Sequence, residues 1–512
     1  MSARPTPALP LSLATFLAAL AGVANAAAFP GLGWWPLVFV GTPLLLFCLI
    51  GRRFWSSCLV GLIGGFAFWG THILWLTVYL GPVPWLALAG LQSIFFALGC
   101  ALIALAWRRS SGFTLPVIRF GIVPAAIGAL WMLRETVTSS WPYGGFSWGR
   151  LAFSQSDGPF AGLVAWVGIS GLSFLIAWAS ALVVQVFRAE RTSRWGIRKP
   201  LFLLPIAVVV AMALMPAVAI LPSGTARIAA VQGDSDAGLF ARFVPGQILQ
   251  DHLAATAPLY GNKVDLVVWP ENAADLNPLQ NDYSATALDT VSTKLSAPMI
   301  VGTITATGEK TFNSLLLWKA GVGAIAQYDK IHPVPFAEYI PDRNFWYPLA
   351  PELLSLIPRG YTIGTRSNVF DLGAIRAGVA ICFDIVDDRL IRQMVSGGAN
   401  IIVAPTNNAD FGHTDESAQQ LAIVRLRAIE TGRSVVNAST VGTSAIIGPT
   451  GMILDQLPTF QAGTMVRSVP LSTTTTPATA IGLPLELTLC AFALAWLLFA
   501  AFAARRQENH RD

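Results

Sequence analysis

Eight stretches of mostly apolar residues run through this 512-residue chain, and they limit its possible folds more than any other feature. Each approaches the roughly 20 residues that an α-helix needs to cross a hydrocarbon core about 30 Å thick. A chain with 54% hydrophobic and 12% charged residues is too apolar for water alone and needs the hydrocarbon of a membrane as its solvent. The sequence therefore predicts a polytopic membrane domain of about eight transmembrane helices. The stretches are 9–28, 35–50, 58–76, 85–107, 122–133 with its flanks, 161–187, 201–221 and 480–503.

The first stretch has a second interpretation, because alanine-rich sequence follows it, as in a secretory signal. Its length and the further apolar stretches behind it favour a retained helix. His72 is the one ionisable group that we expect well inside a helix. A helix-packing hydrogen bond is a simpler role for it than transport.

A globular domain is predicted between the seventh and eighth stretches. There the sequence changes to short apolar runs, Gly, Pro and Asn turns and scattered charges. We expect this domain at 226–469, after a transmembrane region at 1–221. The last helix is expected at 477–504 and a cytoplasmic tail at 505–512. The domain contains a single cysteine, so its core and not disulfides must stabilise it.

The basic residues outside the globular domain predict the orientation in the membrane. If the eight helices alternate, only Arg134 and Arg150 lie on one side. The richly basic side is cytoplasmic by the positive-inside rule. We therefore expect a multi-pass membrane protein with both termini cytoplasmic and the globular domain extracytoplasmic. The basic side holds Arg4, Arg52, Arg53, Arg108, Arg109, Arg119, Arg188, Arg191, Arg194, Arg198, Lys199, Arg505, Arg506 and Arg511.

The charge of the globular domain excludes one class of partner. Residues 226–469 contain 17 Lys and Arg against 22 Asp and Glu, whereas the rest of the chain contains 16 against 6. An acidic domain argues against nucleic acid, and membrane topology explains the basic remainder. The histidines show no spacing typical of a zinc site, and no Gly-rich phosphate loop is evident. We expect neither metal nor cofactor.

Cys382 is the first candidate for chemistry. It lies in the run Gly-Val-Ala-Ile-Cys-Phe-Asp, in which β-branched and small residues predict a buried strand that ends near the cysteine. The chain's other cysteines all lie in apolar stretches, so none is a plausible disulfide partner. Taken alone, Cys382 is more simply a small buried hydrophobe than a nucleophile, because free cysteine is among the most buried residue types.

Two further polar residues stand at predicted strand ends. Glu271 follows an apolar run and Pro270, where proline ends the strand ladder and the next side chain can enter a cleft. It is either a solvated loop residue or a catalytic base. Lys330 follows the run 324–329, and the proline-rich segment 331–341 behind it predicts a shaped loop and possible lid that contains Glu338.

Glu271, Lys330 and Cys382, in that order and each at a strand end, resemble the Glu-Lys-Cys triad of the nitrilase (carbon-nitrogen hydrolase) superfamily. With the eight apolar stretches, the chain resembles the apolipoprotein N-acyltransferase family over nearly its whole length. Many members have Tyr where this chain has Phe383, and Glu where it has Asp384. The matching phrases are Val-Val-Trp-Pro-Glu-Asn, Tyr-Asp-Lys-Ile-His-Pro-Val-Pro-Phe-Ala-Glu-Tyr and Gly-Val-Ala-Ile-Cys-Phe-Asp.

The resemblance implies an α-β-β-α sandwich for the globular domain. It also implies transfer of a fatty acyl chain from a membrane phospholipid to the free α-amino group of a diacylated apolipoprotein. Cys382 would be the nucleophile of a ping-pong reaction, Glu271 the general base and acid, and Lys330 the oxyanion stabiliser together with the Phe383 backbone. Glu338 matches a carboxylate that the family also needs. We expect a monomer in the lipid bilayer, and the resemblance implies that this bilayer is a bacterial plasma membrane.

Two other functions remain open from the residues. A membrane-tethered amidase or nitrilase with the same triad would release ammonia or a free acid instead of acylating an amine. A transporter or non-catalytic scaffold would form no acyl-enzyme on Cys382, and the scarcity of polar residues within the helices argues against a pore.

Overall fold

The computed structural model describes residues 6–192, 203–238, 241–242, 244–357 and 360–509. The chain divides into two compact units. Met1–Val218 and Ala480–Asp512 form the helical unit, and Ala219–Thr479 form the sheet unit. Five of the basic residues used to predict the orientation lie outside the described residues: Arg4, Arg194, Arg198, Lys199 and Arg511.

The described part of the helical unit contains helices for all eight apolar stretches. Five are long and apolar enough to cross a membrane, and those at the first, second and seventh stretches are shorter. Apolar side chains on several helix faces remain exposed in the absence of a bilayer, as expected for helices solvated by lipid. The helices are α1 (Leu11–Ala27), α2 (Val38–Cys48), α3 (Phe54–His72), α4 (Leu76–Leu80), α5 (Pro82–Arg109), α6 (Val123–Thr138), α7 (Val164–Thr192), α8 (Leu203–Ala213) and α15 (Pro477–Asn509).

The seventh stretch is shorter than predicted. We expected a helix to residue 221, but α8 ends at Ala213 and the chain is irregular up to residue 223. Pro216 explains the early end, because proline has no N–H for the helix and disfavours helical geometry in the residue before it.

Small residues allow the helices to approach closely. A Cβ at Gly22 of α1 would lie 2.3 Å from the carbonyl oxygen of Gly64 in α3, and one at Gly61 would lie 2.7 Å from the Cβ of Cys100 in α5. Backbones that pack this closely gain dispersion energy, which is a main source of helix association in lipid.

His72 is not the only ionisable residue inside an apolar helix, so that expectation was wrong. Arg134 and Glu135 both lie in α6, and Glu486 lies in α15. Arg134 Nη2 is 3.3 Å from Glu135 Oε1, and the guanidinium also lies over the ring of Phe96. Arg134 is therefore part of a buried pair and not a charge in an outer loop.

A second pair of charges completes this group, which we call the helical-unit cluster: Arg134, Glu135, Arg150 and Glu486. Arg150 is buried and donates to the Ser170 hydroxyl, which donates to Glu486 Oε2 at 3.0 Å. The cluster has two cations and two anions, so its formal charges balance.

The described part of the sheet unit contains two six-stranded sheets. The first has the order β12-β1-β2-β3-β4-β5, and the second has the order β11-β10-β9-β8-β7-β6. β1, β2 and β3 pair in parallel, as do β7, β8 and β9. The strands are β1 (Gly224–Gln232), β2 (Leu266–Val268), β3 (Met299–Thr307), β4 (Lys310–Lys319), β5 (Gly323–Asp329), β6 (Val369–Asp371), β7 (Arg376–Val379), β8 (Ile401–Val403), β9 (Ser434–Asn437), β10 (Ala445–Ile447), β11 (Ile453–Gln456) and β12 (Gly463–Leu471).

The two sheets pack face to face, with helices on their outer faces. Ile228 and Val268 of the first sheet share one apolar core with Val379 and Val403 of the second. A separate core joins the outer face of the first sheet to α9 and α10, while α13 and α14 pack on the second sheet. These helices are α9 (Gln247–Thr256), α10 (Asp282–Leu295), α13 (Asp388–Ser396) and α14 (Glu416–Thr431); two short helices lie between β5 and β6, α11 (Arg343–Trp346) and α12 (Pro351–Leu354).

The first and last strands of the sheet unit are neighbours. β1 and β12 pair antiparallel along their full length, from Gly224 opposite Leu471 to Gln232 opposite Gly463. The two ends of the unit therefore lie side by side.

Candidate active site

The three residues expected to do chemistry all lie just beyond strand ends. Glu271 follows the end of β2 by three residues, Lys330 directly follows β5, and Cys382 follows the end of β7 by three residues. Strand ends suit this role because the backbone leaves the ladder there and its side chains can converge.

Glu271 is buried and held by three donors. Asn313 Nδ2 donates to its Oε1 at 2.7 Å, and Lys330 Nζ lies 3.2 Å from the same oxygen. The Asn407 backbone N–H donates to Oε2 at 2.8 Å. Gly302 permits the turn, because a Cβ there would lie 2.4 Å from the Pro270 carbonyl oxygen. Both carboxylate oxygens are thus fixed in position.

Lys330 lies between two carboxylates. Its Nζ is 2.8 Å from Glu338 Oε2 and 3.2 Å from Glu271 Oε1, and its side chain is 2% exposed. Burial lowers the pKa of Lys330, but Glu271 and Glu338 outweigh burial and hold that pKa well above its ordinary value. Lys330 is therefore a permanent cation and hydrogen-bond donor, and not a base.

Glu338 is fixed from its own loop and from β4. The Val334 N–H donates to Glu338 Oε2 at 2.7 Å, and Asn313 Nδ2 donates to Oε1 at 3.0 Å. Asn313 thus bridges Glu271 and Glu338. The loop 331–341 is tied to the site through these bonds.

Cys382 begins the short helical turn Cys382–Val386 with a φ of 48°, in the left-handed region that non-glycine residues rarely adopt. Such a backbone costs of order 1–3 kcal/mol and is found mostly where function requires it. The Cys382 N–H donates to the Pro405 carbonyl at 2.9 Å, which fixes the turn against the segment after β8.

The Cys382 sulfur interacts with both charged partners. Burial raises the pKa of the thiol well above its ordinary value, Glu271 raises it further, and Lys330 lowers it. The Thr406 hydroxyl also bonds to the sulfur and lowers this pKa. The resting group is consequently a neutral thiol, which has to lose its proton during attack.

Asp384 fixes the turn that begins at Cys382. Both of its carboxyl oxygens accept hydrogen bonds there, so neither is free to bond to Lys330. Its Oδ2 accepts from the Tyr328 hydroxyl at 2.8 Å and the Ile381 N–H at 3.1 Å, and its Oδ1 accepts from the His332 N–H at 2.8 Å. Burial raises the pKa of Asp384 to about 7, against the opposing effects of Lys330 and these donors. Phe383 packs its ring edge-on against His332, with centroids 5.0 Å apart.

Comparisons with known proteins cover both units. Residues 21–182 match the apolipoprotein N-acyltransferase N-terminal domain, and residues 227–478 match the carbon-nitrogen hydrolase family. An apolipoprotein N-acyltransferase from Mycolicibacterium smegmatis (strain ATCC 700084 / mc(2)155) is 31% identical, over 94% of this chain and 84% of that protein. The chain belongs to the apolipoprotein N-acyltransferase family.

Other proteins are more distantly similar. An apolipoprotein N-acyltransferase from Geobacter metallireducens (strain ATCC 53774 / DSM 7210 / GS-15) is 28% identical over 89% of both chains. The crystal structure of an amidase from Nesterenkonia sp. covers 49% of this chain and 92% of its own, with 18% identity and a TM-score of 0.38.

Several polar residues of this apolipoprotein N-acyltransferase family member were missed in the sequence. Asn313 lies inside β4, where strand alternation alone does not mark a functional side chain. Glu416 and Gln420 lie in the first turns of α14, and Asn408 precedes that helix. The phrase Thr-Asn-Asn-Ala-Asp-Phe-Gly at 406–412 was a usable signal, because such side chains commonly bond across loops.

No metal centre is evident in the part of the chain that the structure describes. Within the described ranges, no three His, Cys, Asp or Glu side chains are grouped to hold an ion.

Proposed function

We propose that this chain transfers a fatty acyl chain from a membrane phospholipid to the α-amino group of a diacylated apolipoprotein, through a thioester on Cys382. The observation that most supports this proposal is the buried Glu271–Lys330 pair beside the Cys382 thiol, in a chain of this family. The named activity of the relatives supplies the acceptor class.

In the first half-reaction, Glu271 takes the proton of the Cys382 thiol as the sulfur attacks the ester carbonyl of the phospholipid. A general base is required because burial and the Glu271 charge keep the thiol protonated. The sulfur–carbon bond forms, the carbonyl oxygen becomes an oxyanion, and the ester carbon–oxygen bond then breaks. Glu271 returns the proton to the departing lysophospholipid oxygen.

Lys330 and the Phe383 backbone N–H stabilise the oxyanion. Lys330 suits this role because Glu271 and Glu338 keep it charged, and because a fixed donor needs no reorganisation during the reaction. Losing one such donor typically costs roughly 2.7 to 4 kcal/mol of barrier.

In the second half-reaction, the α-amino group of the apolipoprotein attacks the thioester. Glu271 takes a proton from the nitrogen, the carbon–sulfur bond breaks, and Glu271 protonates the departing thiolate. The products are an N-acylated apolipoprotein and the free Cys382 thiol. This sequence gives ping-pong kinetics with a covalent intermediate.

The test uses the full-length protein in vesicles of bacterial phospholipid with isotope-labelled acyl chains. Mass spectrometry of the intact protein should show one acyl mass on Cys382, and an added diacylated lipopeptide should remove it and gain that mass. Cys382→Ala should form neither product, whereas Cys58→Ala, which changes a cysteine of α3, should form both. Persistent thioester in Cys382→Ala, or release of free fatty acid without lipopeptide acylation, would reject the proposal.

We also propose that the eight apolar stretches all span the membrane of a monomer, with both termini in the cytoplasm and the sheet unit outside. In intact cells, a membrane-impermeant maleimide should label Lys319→Cys, at an exposed position of β4. It should label Arg53→Cys, at an exposed position between α2 and α3, only after permeabilisation. Equal labelling of both would contradict this orientation.

A further inference from the structure

A directional chain of hydrogen bonds reaches the Cys382 sulfur through residues that the mechanism above does not use. The Gly442 backbone N–H donates to Ser439 Oγ at 2.8 Å, and the Ser439 hydroxyl donates to Asn408 Oδ1 at 2.7 Å. Asn408 Nδ2 donates to Gln420 Oε1 at 2.8 Å, and Gln420 Nε2 donates to Cys382 Sγ at 3.6 Å.

Two groups fix the direction of this chain. The Gly442 N–H can only donate, so it leaves the Ser439 hydroxyl hydrogen for Asn408. At the middle of the chain, Glu416 Oε2 accepts from Asn408 Nδ2 at 2.7 Å. An amide that turned around would point its carbonyl oxygen at this carboxyl group, so Glu416 keeps the amino end of Asn408 directed at both Glu416 and Gln420.

The chain is buried and closely packed. Asn408, Glu416 and Gln420 are each 2–3% exposed, so water does not replace a lost partner easily. A Cβ at Gly442 would lie 2.3 Å from Asn408 Oδ1, which means that glycine is needed for the amide to occupy this position. The Thr406 hydroxyl lies 3.1 Å from Gln420 Oε1, so its single hydrogen is shared between that oxygen and the Cys382 sulfur.

We propose that Glu416, acting through Asn408 and Gln420, is a positioning residue that keeps an amide N–H directed at the Cys382 sulfur and thereby stabilises its thiolate. This inference rests on the proposed function, because it takes Cys382 as the nucleophile. It adds a neutral donor to the stabilisation that Lys330 provides. The thiolate forms twice in each cycle, once during attack and once as the leaving group.

The charge of Glu416 acts in the opposite direction to its hydrogen bond. A negative Glu416 raises the pKa of the Cys382 thiol, as Glu271 does, whereas Lys330 lowers it. Burial raises the pKa of Glu416 itself to about 8, and Asn408 opposes that shift. Near neutral pH Glu416 is mostly uncharged. Its carbonyl oxygen then accepts from Asn408, and the direction of the amide is set by the Ser439 hydroxyl, which donates to Asn408 Oδ1.

Two uncharged variants separate these effects. Glu416→Gln keeps an acceptor for Asn408 and removes any charge, so Cys382 should react with iodoacetamide as fast as in the unchanged protein or faster. Glu416→Leu removes the acceptor as well, so the amides can turn and the thiol should react about tenfold more slowly, the equivalent of about one pKa unit. Gln420→Met removes the donor itself and should match Glu416→Leu.

The measurement is the alkylated fraction of the Cys382 peptide, determined by mass spectrometry on the full-length protein in detergent across about pH 7 to 10, where thiolates form. Thermal unfolding of each variant shows whether it is folded, and if Glu416→Leu is not, Gln420→Met decides. Equal alkylation rates in Glu416→Leu and Glu416→Gln, or an unchanged rate in folded Gln420→Met, would overturn the inference. Alkylation needs no acyl transfer, so a failure of the proposed function would be seen separately, as absence of a thioester in the unchanged protein.

Discussion

Each of the two units buries a group of charged side chains, and the two groups differ in formal net charge. The helical-unit cluster has two arginines and two glutamates, in which Glu135 alone accepts from Arg134, the Trp131 indole and the Leu151 N–H. The site in the sheet unit has one lysine for two glutamates, Glu271 and Glu338, beside a thiol.

This difference indicates what each group is suited to do. Balanced buried charges neutralise one another and fix helices in place, and neither side gains by exchanging a proton. One cation shared by two carboxylates stays charged and leaves one carboxylate in excess. That carboxylate can accept a proton from a neighbouring thiol. The first group therefore has the composition of a structural tie and the second that of a site for proton transfer.

The largest expected effect comes from replacing Glu271, the carboxylate that we propose as the general base. Glu271→Gln keeps the shape of the side chain but cannot take a proton, and we expect acyl-enzyme formation to slow by about 10²–10⁴-fold, the usual contribution of a general base. The same change removes a negative charge that raises the pKa of Cys382, so alkylation of the thiol by iodoacetamide should become faster.

Opposite effects on the two reactions are the signature of a base as distinct from a folding residue. Glu352→Gln, at an exposed position of α12, is the matched control and should change neither rate. If Glu271→Gln slowed both alkylation and acyl transfer, the assignment of the base would be wrong.

Removing the single cation should have the next largest effect. Lys330→Met takes away the proposed oxyanion donor and leaves Glu271 and Glu338 buried without a counter-ion, so we expect a loss of about 10²–10³-fold in the rate of thioester formation. Burst kinetics with labelled phospholipid measure it. Lys319→Met removes an exposed lysine of β4 and should leave the rate unchanged; a burst rate in Lys330→Met close to that of this control would contradict the role.

In the helical-unit cluster the same kind of change should affect stability and not chemistry. Glu135→Leu leaves Arg134 buried without its partner, and breaking such a pair typically costs about 3–5 kcal/mol. We expect a lower Tm in detergent but an unchanged acyl-enzyme rate per folded molecule. The double variant Arg134→Met with Glu135→Leu should recover part of the loss. A slower reaction at an unchanged Tm would mean that this cluster takes part in catalysis.

The sequence predicts the order of the sheet unit better than its internal contacts. Glu271, Lys330 and Cys382 could be found because each follows an apolar run, and strand alternation is local information. Asn313 and Gln420 could not, because their partners are 42 and 38 residues away in sequence. Glu416 lies in the first turn of α14, ahead of the apolar residues whose helical spacing indicates that helix, so the spacing does not single it out.

In the helical unit, prediction from the sequence is limited in a different way. Hydrophobic length predicted where its helices lie, but an average over about 20 residues hides single charges, so Arg134 and Glu135 were not recognised as helix residues. In the sheet unit, no prediction covered strands β6, β11 and β12 or helix α10. In α10 the clearest signal is Asn281, whose side chain caps the helix by accepting from the Ser284 N–H.

A pH dependence separates a buried carboxyl group that only fixes structure from the carboxylate that takes a proton. Burial raises the pKa of Asp384 to about 7, above the value of about 3.9 in an unfolded chain. The folded state then binds this proton more tightly, so the contribution of Asp384 to stability is greatest below pH ~4 and declines as pH rises to ~7. The slope is at most about 1.4 kcal/mol per pH unit. In Asp384→Asn, which cannot titrate, this part of the pH dependence should disappear, so the Tm of the unchanged protein minus that of the variant should fall between pH ~4 and ~7. A difference that rises over this interval would show that Asp384 is held as a carboxylate by Tyr328 and the two backbone donors.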